Sequence, residues 1–388
     1  MNTLSSRQPN GAEGMSRLAA RPSTPHEGSL RGNRQVRRSY TVIWALLLAT
    51  LPPVYATDSY TMIARYVSLV SIMSVSTNLT SLTCRWGQAS VFVPSPPSIL
   101  IQGGKTDPTS SFTYSSSPNS ADTILLPLTT AFTTLSPPFS LLAPTGAPTY
   151  AWHTLTPLIN LNGDWLVLSF GGDGGPSEPV ETLADSTCIL SVNPAAETVN
   201  FTHEAVVWAN QPPRRIYHSA ASLSTGKKTY ITGGLKDDGS GAGFADVYEF
   251  DPASSAFTTL PDLPQGLYHH SSVLLPNATL VIFGGVFKSP ATGNSALLPL
   301  STLYTLDTNS NAAGWTTRSI AGAVPDGRRG ASSVLNTNGT KAFLFGGADA
   351  DLGSMVGDNW ELDLDSCVWR QVFSADQGQW FKWSLSHN

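Results

Sequence analysis

Histidine is the residue type in this chain best suited to proton transfer or metal binding, and three of its seven histidines share one position of an internal repeat. That position is held, from the first repeat to the fifth, by Gln88, His153, His218, His270 and Ala331. The three histidines lie 65 and 52 residues apart, a spacing that matches no metal-binding motif. Their role therefore depends on where the repeat places them.

The other reactive residue types form no catalytic motif. The sequence contains no nucleophile elbow, phosphate-binding loop, HExxH motif or catalytic pair of carboxylates. Cys84, Cys188 and Cys367 are predicted to be unpaired thiols, because no two of them fall at neighbouring places of the repeat. The sequence thus predicts neither a metal nor a cofactor.

Five Gly-Gly pairs define the repeat, and each closes a short apolar segment. The pairs are Gly103-Gly104, Gly171-Gly172, Gly233-Gly234, Gly284-Gly285 and Gly346-Gly347. Successive pairs lie 68, 62, 51 and 62 residues apart, enough for four short strands, which predicts one β-propeller blade per repeat. The apolar segments do not alternate, as is typical of strands covered on both faces. Glycine permits the positive φ that a sharp turn beside the crowded axis requires.

Aromatic residues indicate the third and fourth strands of the last three blades. They are Tyr248 with Phe257, Tyr304 with Trp315, and Trp360 with Trp369. The intervals of 9, 11 and 9 residues are hairpin spacings. The first two blades offer the weaker pairs Leu125 with Phe132 and Ile189 with Trp208. The predicted blades cover residues 85–145, 150–210, 214–262, 266–320 and 327–373.

The order of these signals, Arg-x-x-His-Ser, Gly-Gly, Tyr and then Trp, resembles the kelch repeat, and more loosely the kelch-type propeller of galactose oxidase. The resemblance covers about residues 85–373 and implies an all-β propeller. Propellers of this kind close with six or seven blades, whereas five repeats are found. Either the sequence stops before a further blade and an anchor, or residues 57–84 supply closing strands. A gap or a bridge is expected between the first and fifth blades.

Resemblance to galactose oxidase would imply copper bound by two tyrosines and two histidines, with a cysteine cross-linked to one tyrosine. This chain cannot be matched to that set residue by residue, because its histidines are spread as repeat equivalents. The predicted function is a binding scaffold without catalysis. The alternative is a copper radical oxidase of this kind or another carbohydrate-active enzyme.

In an antiparallel blade, the 1–2 and 3–4 turns lie on one face of the propeller, and the 2–3 and 4–1 loops lie on the other. The second face carries five long polar loops and is predicted to bind a protein or a cell-wall glycan. The repeated histidines either satisfy backbone groups around the channel or bind a ligand at its mouth. The residues predicted for this mouth are Gln88, His153, His218, His270, Arg215, Arg329, Lys105, Asp173 and Asp349.

The N-terminal region indicates the secretory pathway. Residues 1–38 are polar and basic and are predicted to be disordered, and residues 39–56 are predicted to be a signal peptide or signal anchor that could attach the protein to a membrane. A buried strand is the remaining alternative for the apolar segment. Residues 57–84 are assigned to a linker or closing strands, and residues 374–388 to a non-repeat tail. The propeller is expected to be secreted or membrane-anchored, outside the cytoplasm.

Four glycosylation sequons agree with export, at Asn78, Asn200, Asn277 and Asn338. Asn277 and Asn338 are predicted in 1–2 turns and Asn200 in a 3–4 turn, so these three share the face opposite the mouth. Alternatively, asparagine is present only because it forms good turns. Charged residues make up 13% of the chain and its net charge is -5, which argues against nucleic acid as a partner.

Overall fold

The computed structural model describes residues 85–373, except residues 110, 133–136, 143–145, 175–186, 204–207, 224–227, 237–240, 242 and 321. The predicted tail, signal segment, closing strands and C-terminal tail lie outside the described residues, as do Asn78 and Cys84. In the described part the fold is all-β, and its single helical piece is a 3-10 turn at Asn311–Ala313.

Twenty-six strands account for the described β-structure. In chain order they are β1 (Arg85–Trp86), β2 (Ala89–Pro94), β3 (Pro97–Gln102), β4 (Lys105–Thr106), β5 (Thr123–Pro127), β6 (Ser140–Leu142), β7 (Thr154–Leu161), β8 (Asp164–Phe170), β9 (Thr187–Asn193), β10 (Thr198–His203), β11 (Arg215–Ile216), β12 (Ser219–Ser222), β13 (Thr229–Thr232), β14 (Leu235–Lys236), β15 (Val247–Asp251), β16 (Ala256–Leu260), β17 (Ser271–Leu274), β18 (Thr279–Phe283), β19 (Val286–Lys288), β20 (Ser295–Leu297), β21 (Thr302–Asp307), β22 (Thr316–Ser319), β23 (Ser332–Leu335), β24 (Lys341–Phe345), β25 (Asn359–Asp363) and β26 (Val368–Phe373).

Five four-stranded antiparallel sheets form the blades of a β-propeller, which confirms the predicted fold class. Their strand orders are β2-β3-β5-β6, β7-β8-β9-β10, β12-β13-β15-β16, β17-β18-β21-β22 and β23-β24-β25-β26. The first strands of successive blades contact one another from β2 to β23, so the first strand of each blade is innermost. Each sheet is a simple meander, and its 2–3 loop therefore lies on the same face as the 4–1 connection to the next blade.

The fourth strands of the first two blades differ from the prediction. β6 begins at Ser140, eight residues after Phe132, and β10 ends at His203, before Trp208. Phe132 instead packs on blade 1 from a connecting segment, and Trp208 stacks on Phe250 of the third blade with ring centroids 4.9 Å apart. Both predictions are wrong because an aromatic residue in a connection has the same spacing as one in an outer strand.

A hydrogen bond between backbones recurs at each described joint between blades. The second glycine of a Gly-Gly pair donates its N–H to a carbonyl of the next blade, in the pairs Gly104–Tyr150, Gly172–Arg215, Gly234–Leu267 and Gly285–Arg328, at 2.8, 2.9, 2.8 and 2.8 Å. Both glycines of all five pairs have a positive φ. A Cβ added to Gly171 would lie 2.5 Å from the Arg215 carbonyl oxygen. Glycine is needed there because the next blade approaches too closely for any side chain.

Apolar side chains fill the same joints. Val91 and Trp165 belong to the cluster between blades 1 and 2, and Tyr230 and Leu280 belong to that between blades 3 and 4. Similar clusters join blades 2 and 3 and blades 4 and 5. The second strands of the first four blades are therefore buried on both faces, as the unbroken apolar segments predict.

The fifth blade lacks a described neighbour on one side. In β24 buried residues alternate with half-buried ones, among them Phe343 and Phe345. A Cβ on Gly346 would meet no residue of another blade, since its nearest contact is Val356 O of the same blade at 3.5 Å. Within the described residues, the Gly347 N–H also has no acceptor in another blade. Four joints are thus described, and none between the fifth blade and the first.

The joints predict how glycine substitutions should differ. Gly171→Ala should destabilise the protein by about 1 kcal/mol for the left-handed backbone and by about 1 to 3 kcal/mol more for the clash with Arg215 O. Gly293→Ala is the matched control, because its φ of 72° nearly equals the 70° of Gly171 while no atom lies within 4 Å of the added Cβ. Urea unfolding measures both changes. Equal losses would show that the close approach of blades contributes nothing.

Candidate functional site

The residue directly before each repeated polar position has a left-handed backbone. In blade order these residues are Gly87, Trp152, Tyr217, His269 and Gly330, with φ values of 68°, 59°, 58°, 53° and 63°. Blades 1 and 5 have glycine, which adopts this conformation without strain. Blades 2 to 4 carry large side chains, for which it costs about 1 kcal/mol or more per residue. The strain is therefore avoidable at this position, and three successive blades retain it.

Hydrogen bonds between blades connect these left-handed residues. Trp152 N donates to Gly87 O at 2.6 Å, His269 N to Tyr217 O at 2.8 Å, and Gly330 N to His269 O at 2.9 Å. The position thus follows the innermost strands around the propeller axis. The left-handed position lies on the face of the 2–3 loops. The residue that precedes it pairs with the first residue of the 2–3 loop, directly after Gly-Gly, as Trp86 pairs with Lys105 in blade 1.

The large side chains at this position continue into two aromatic residues of blade 1. Ring centroids are separated by 5.8 Å between Trp86 and Tyr114, 5.7 Å between Tyr114 and Trp152, 5.1 Å between Trp152 and Tyr217, and 3.8 Å between Tyr217 and His269. We call these five residues the aromatic rim. All five are partly or largely exposed, so the rim offers an apolar surface to solvent at the channel mouth.

Arg329 lies beside the end of the rim. Its guanidinium stacks over Tyr268 at 5.6 Å and donates to Ala350 O at 3.0 Å. Burial lowers the pKa of His269 well below its usual value, and the charges of Arg329 and His270 lower it further. His269 is therefore neutral at physiological pH, and Arg329 is the cation that the mouth presents beside it. The neighbouring Asp349 accepts from Gly353 N at 2.8 Å and shapes its own loop.

Lys105 and Asp173 lie beneath the rim and pair with each other. The Lys105 amine is fully buried, 3.0 Å from the Asp173 carboxylate and 5.0 Å from the ring centroid of Trp152. It also donates to Asn119 Oδ1 at 2.8 Å. The structure thus brings both predicted residues to the mouth, where Lys105 supports the rim from below.

The predicted ring of Gln88, His153, His218 and His270 forms a buried layer one residue further in. His218 Nε2 lies 2.9 Å from Thr154 Oγ1, and His270 Nε2 lies 2.7 Å from Thr232 Oγ1. Burial lowers the pKa of His153 and of His270 to about 3. These neutral rings pack against the glycines of the preceding blade, since a Cβ on Gly103 would lie 2.9 Å from His153. They make structural contacts, and direct binding by them stays a prediction.

Arg215 lies in a buried clamp beneath the predicted mouth. Its Nη1 donates to Gly233 O at 3.1 Å, and its Nη2 donates to Asp246 Oδ2 at 3.1 Å. Arg85 and Arg328 hold the equivalent groups of blades 1 and 5. Each clamp ties the entry of a blade to the end of its second strand and the start of its third. Because the guanidinium is fully buried, Arg215 is not available to a ligand.

Neither the clamp nor the rim was predicted from the sequence. The signal for the clamp was an aspartate directly before the third strand. This aspartate occurs only in the blades that begin with arginine, as Asp122, Asp246 and Asp358. The signal for the rim was the residue before each repeated histidine, which is Trp152, Tyr217 or His269. The repeated histidines are the stronger sequence signal, although their side chains are buried.

The face opposite the rim carries two of the sequons as predicted. Asn277 and Asn338 are exposed in 1–2 turns of blades 4 and 5. Asn200 differs from the prediction, since it lies within β10 and pairs with Ser191, although its side chain is exposed. The prediction is wrong because the 3–4 turn ends earlier, at Glu197, which supplies the left-handed residue of that turn.

The described residues form neither a metal-binding group nor a disulfide. Among them, no three His, Cys, Asp or Glu side chains come together as a metal-binding group. Cys188 and Cys367 are free, and burial raises the pKa of the Cys188 thiol to about 12. No helix in the described ranges has the length and apolar character needed to cross a membrane.

Repeated four-stranded blades, Gly-Gly joints and a loop face with an aromatic mouth define a kelch-type propeller. The KLHDC2/KLHL20/DRC7 kelch-repeats domain matches residues 152–382, more than half of the chain, and the protein belongs to this kelch-repeat family. Kelch domains generally bind protein partners.

Two curated proteins are similar over shorter stretches. The flagellar outer arm dynein alpha chain of Chlamydomonas reinhardtii is 26% identical over 175 residues, which is 43% of this chain. The tRNA wybutosine-synthesizing protein 4 of Candida albicans is 34% identical over 103 residues, or 26% of this chain. The aligned segments span 4% and 14% of the lengths of these two relatives.

The buried histidines predict an acid-sensitive fold. His153 has a pKa of about 3 when folded and 6.5 as its ordinary value, so the unfolded state binds the proton more readily between these values. Its contribution is lost as the pH falls below 6.5, by about 2 kcal/mol at pH 5. His153→Gln copies the residue of the first blade. Urea unfolding at about pH 7.5 and about pH 5 gives the loss of unfolding free energy on acidification, and this loss should be smaller by that amount in the variant than in the unaltered protein. An equal loss in both proteins would contradict the lowered pKa of His153.

Proposed function

We propose that this protein is a scaffold that binds a protein partner at the aromatic rim. The observation that carries the proposal is the left-handed backbone of Trp152, Tyr217 and His269 at a position where Gly87 and Gly330 are free of strain. Backbone strain that the fold could avoid is often kept for a functional reason. Here the strain keeps three large rings at the mouth, which supports a role in recognition.

Exposed apolar residues of the 2–3 loops extend the same surface. Phe112 and Tyr114 in the blade-1 loop are 54% and 48% exposed, and Met355 in the blade-5 loop is 52% exposed. Both loops lie on the face of the rim, since each connects the second and third strands of its blade. Aromatic residues, methionine and arginine are enriched in protein interfaces and in their most energetic contacts. This composition favours a protein over a cell-wall glycan.

We also propose that the propeller passes through the secretory pathway. The basic and apolar N-terminal segments support this route, and Asn277 and Asn338 are exposed on the face away from the rim. Glycans on those two turns would leave the rim free for a partner. Secretion or membrane attachment through residues 39–56 is the finer form of this proposal.

Binding at the rim can be tested with a displayed library of random peptides selected on the purified protein. Tyr217→Gly and Tyr114→Ala should each weaken the affinity of selected peptides at least tenfold, because they remove rings from the contact surface. Leu161→Ala is the matched control, since Leu161 is 49% exposed beside a 1–2 turn on the opposite face. The affinities are measured by isothermal titration calorimetry.

Two outcomes would contradict the proposed function. Selected peptides could bind all three variants as tightly as the unaltered protein, or only Leu161→Ala could lose binding. A glycan array tests carbohydrates as the alternative class of partner. If the array shows glycan binding that Tyr217→Gly abolishes, and the peptide library yields no binder, the partner is a carbohydrate and not a protein.

The secretory route has its own expected outcome. On expression in a eukaryotic host, N-glycosidase F should shift the protein to lower mass, and Asn277→Gln and Asn338→Gln should each remove one glycan. Glutamine keeps the side-chain amide but is not a glycan acceptor, so each substitution removes the site with little other change. Mass spectrometry checks the count. Unglycosylated cytosolic protein that retains Met1 would refute this route.

A further inference from the structure

The blade-1 loop between β4 and β5 carries part of the rim and has exposed apolar residues at its tip. Trp86 Nε1 donates to Tyr114 O at 3.0 Å, and the Tyr114 ring lies between Trp86 and Trp152. Phe112 is exposed two residues earlier. Because most of the described side chains from residue 108 to residue 116 are exposed, the loop has little core of its own to hold it in place.

Lys105 attaches the loop from below, in addition to backbone hydrogen bonds at its base such as that from Thr106 N to Pro118 O at 3.1 Å. Its amine is fully buried and donates to Ser117 O at 3.3 Å and Asn119 Oδ1 at 2.8 Å, both in the returning half of the loop. The same amine pairs with the Asp173 carboxylate of blade 2 at 3.0 Å. Burying a charge is costly unless it is paired and hydrogen-bonded, and these three contacts compensate Lys105.

Asn119 completes the connection to the second blade. Its Nδ2 donates to Thr149 O at 2.8 Å and to Asp173 O at 2.7 Å, while its Oδ1 accepts from Lys105. One amide therefore joins the loop to the blade connection and to the residue after Gly-Gly of blade 2. The Lys105 amine also lies 5.0 Å from the ring centroid of Trp152, within the range of a cation–π contact.

The propeller itself does not require this arrangement. The residues equivalent to Lys105 in blades 2 to 5 are Asp173, Leu235, Val286 and Ala348. Those blades form the same Gly-Gly turn and the same pairing without a lysine. Lys105 is thus specific to the blade whose loop contributes Tyr114 to the rim.

We propose that Lys105 is a positioning residue for partner binding, which fixes the blade-1 loop and the Trp152 ring so that the rim is formed before the partner arrives. The inference rests on the proposed function and assigns the preorganisation of that surface to one buried cation. Preorganisation raises affinity because the entropy cost of ordering the loop is not incurred when the partner binds. Asn119 acts with Lys105 as the acceptor and donor that carry the connection to blade 2.

The first arm of the test measures the loop alone. Lys105→Met keeps the length of the side chain and removes the charge, and chymotrypsin should then cleave after Phe112 or Tyr114 at least tenfold faster than in the unaltered protein. Lys341→Met is the control for loss of a paired lysine away from the loop, because the partly exposed Lys341 forms a 2.8 Å ion pair with Glu361 in blade 5. Asn119→Ala provides a second route to release of the loop if Lys105→Met does not fold.

The second arm measures affinity for a library-selected peptide. Lys105→Met should weaken it at least tenfold and Lys341→Met should leave it unchanged. Gly339→Ala controls for general destabilisation, because its added Cβ would lie 2.1 Å from Pro276 on the face opposite the rim, and it should retain affinity while folded. Unchanged cleavage, or faster cleavage with unchanged affinity, would overturn the proposal. If the library yields no peptide, the proposed function fails, and the cleavage arm still decides whether Lys105 positions the loop.

Discussion

The hydrogen bond from the second glycine of each of the first four Gly-Gly pairs to a carbonyl of the next blade is the contact on which the rest of the structure depends. It requires two successive glycines with positive φ and a backbone approach too close for a Cβ, as between Gly171 and Arg215. Apolar clusters then fill the space between adjoining sheets. The joints fix the angle between blades, and so they bring equivalent residues of separate repeats to one mouth.

The mouth has a strained backbone at three of its aromatic residues, and its histidine side chains are uncharged. Trp152, Tyr217 and His269 keep a left-handed backbone that glycine would relieve, and desolvation keeps the histidines uncharged. Arg329 is then the charge that stands beside the rings, while Lys105 is neutralised by Asp173 below them. Among the described residues, the rim is aromatic and Arg329 is a cation at its edge, which supports the proposed protein partner.

Much of the fold could be predicted from the sequence because the Gly-Gly pairs are local signals with one physical explanation. The outer strands of blades 1 and 2 could not, since Phe132 and Trp208 have strand-like spacing but pack from connecting segments. Which side chains are exposed at the mouth could be predicted less well. The repeat pattern favoured His218, which is buried, whereas the partly exposed ring belongs to Tyr217. The left-handed backbone of Tyr217 places the two side chains differently, and it forms only where the blades are assembled.

The proposed function requires that the rim is retained for recognition and not for stability. The unfolding free energy of Tyr217→Gly tests it most directly, because relief of the left-handed strain offsets the loss of two ring contacts worth about 0.5 to 1.5 kcal/mol each. Urea unfolding at neutral pH should give a value within about 1 kcal/mol of the unaltered protein. A loss greater than about 3 kcal/mol would show that Tyr217 is a core residue of the propeller, and would contradict this account.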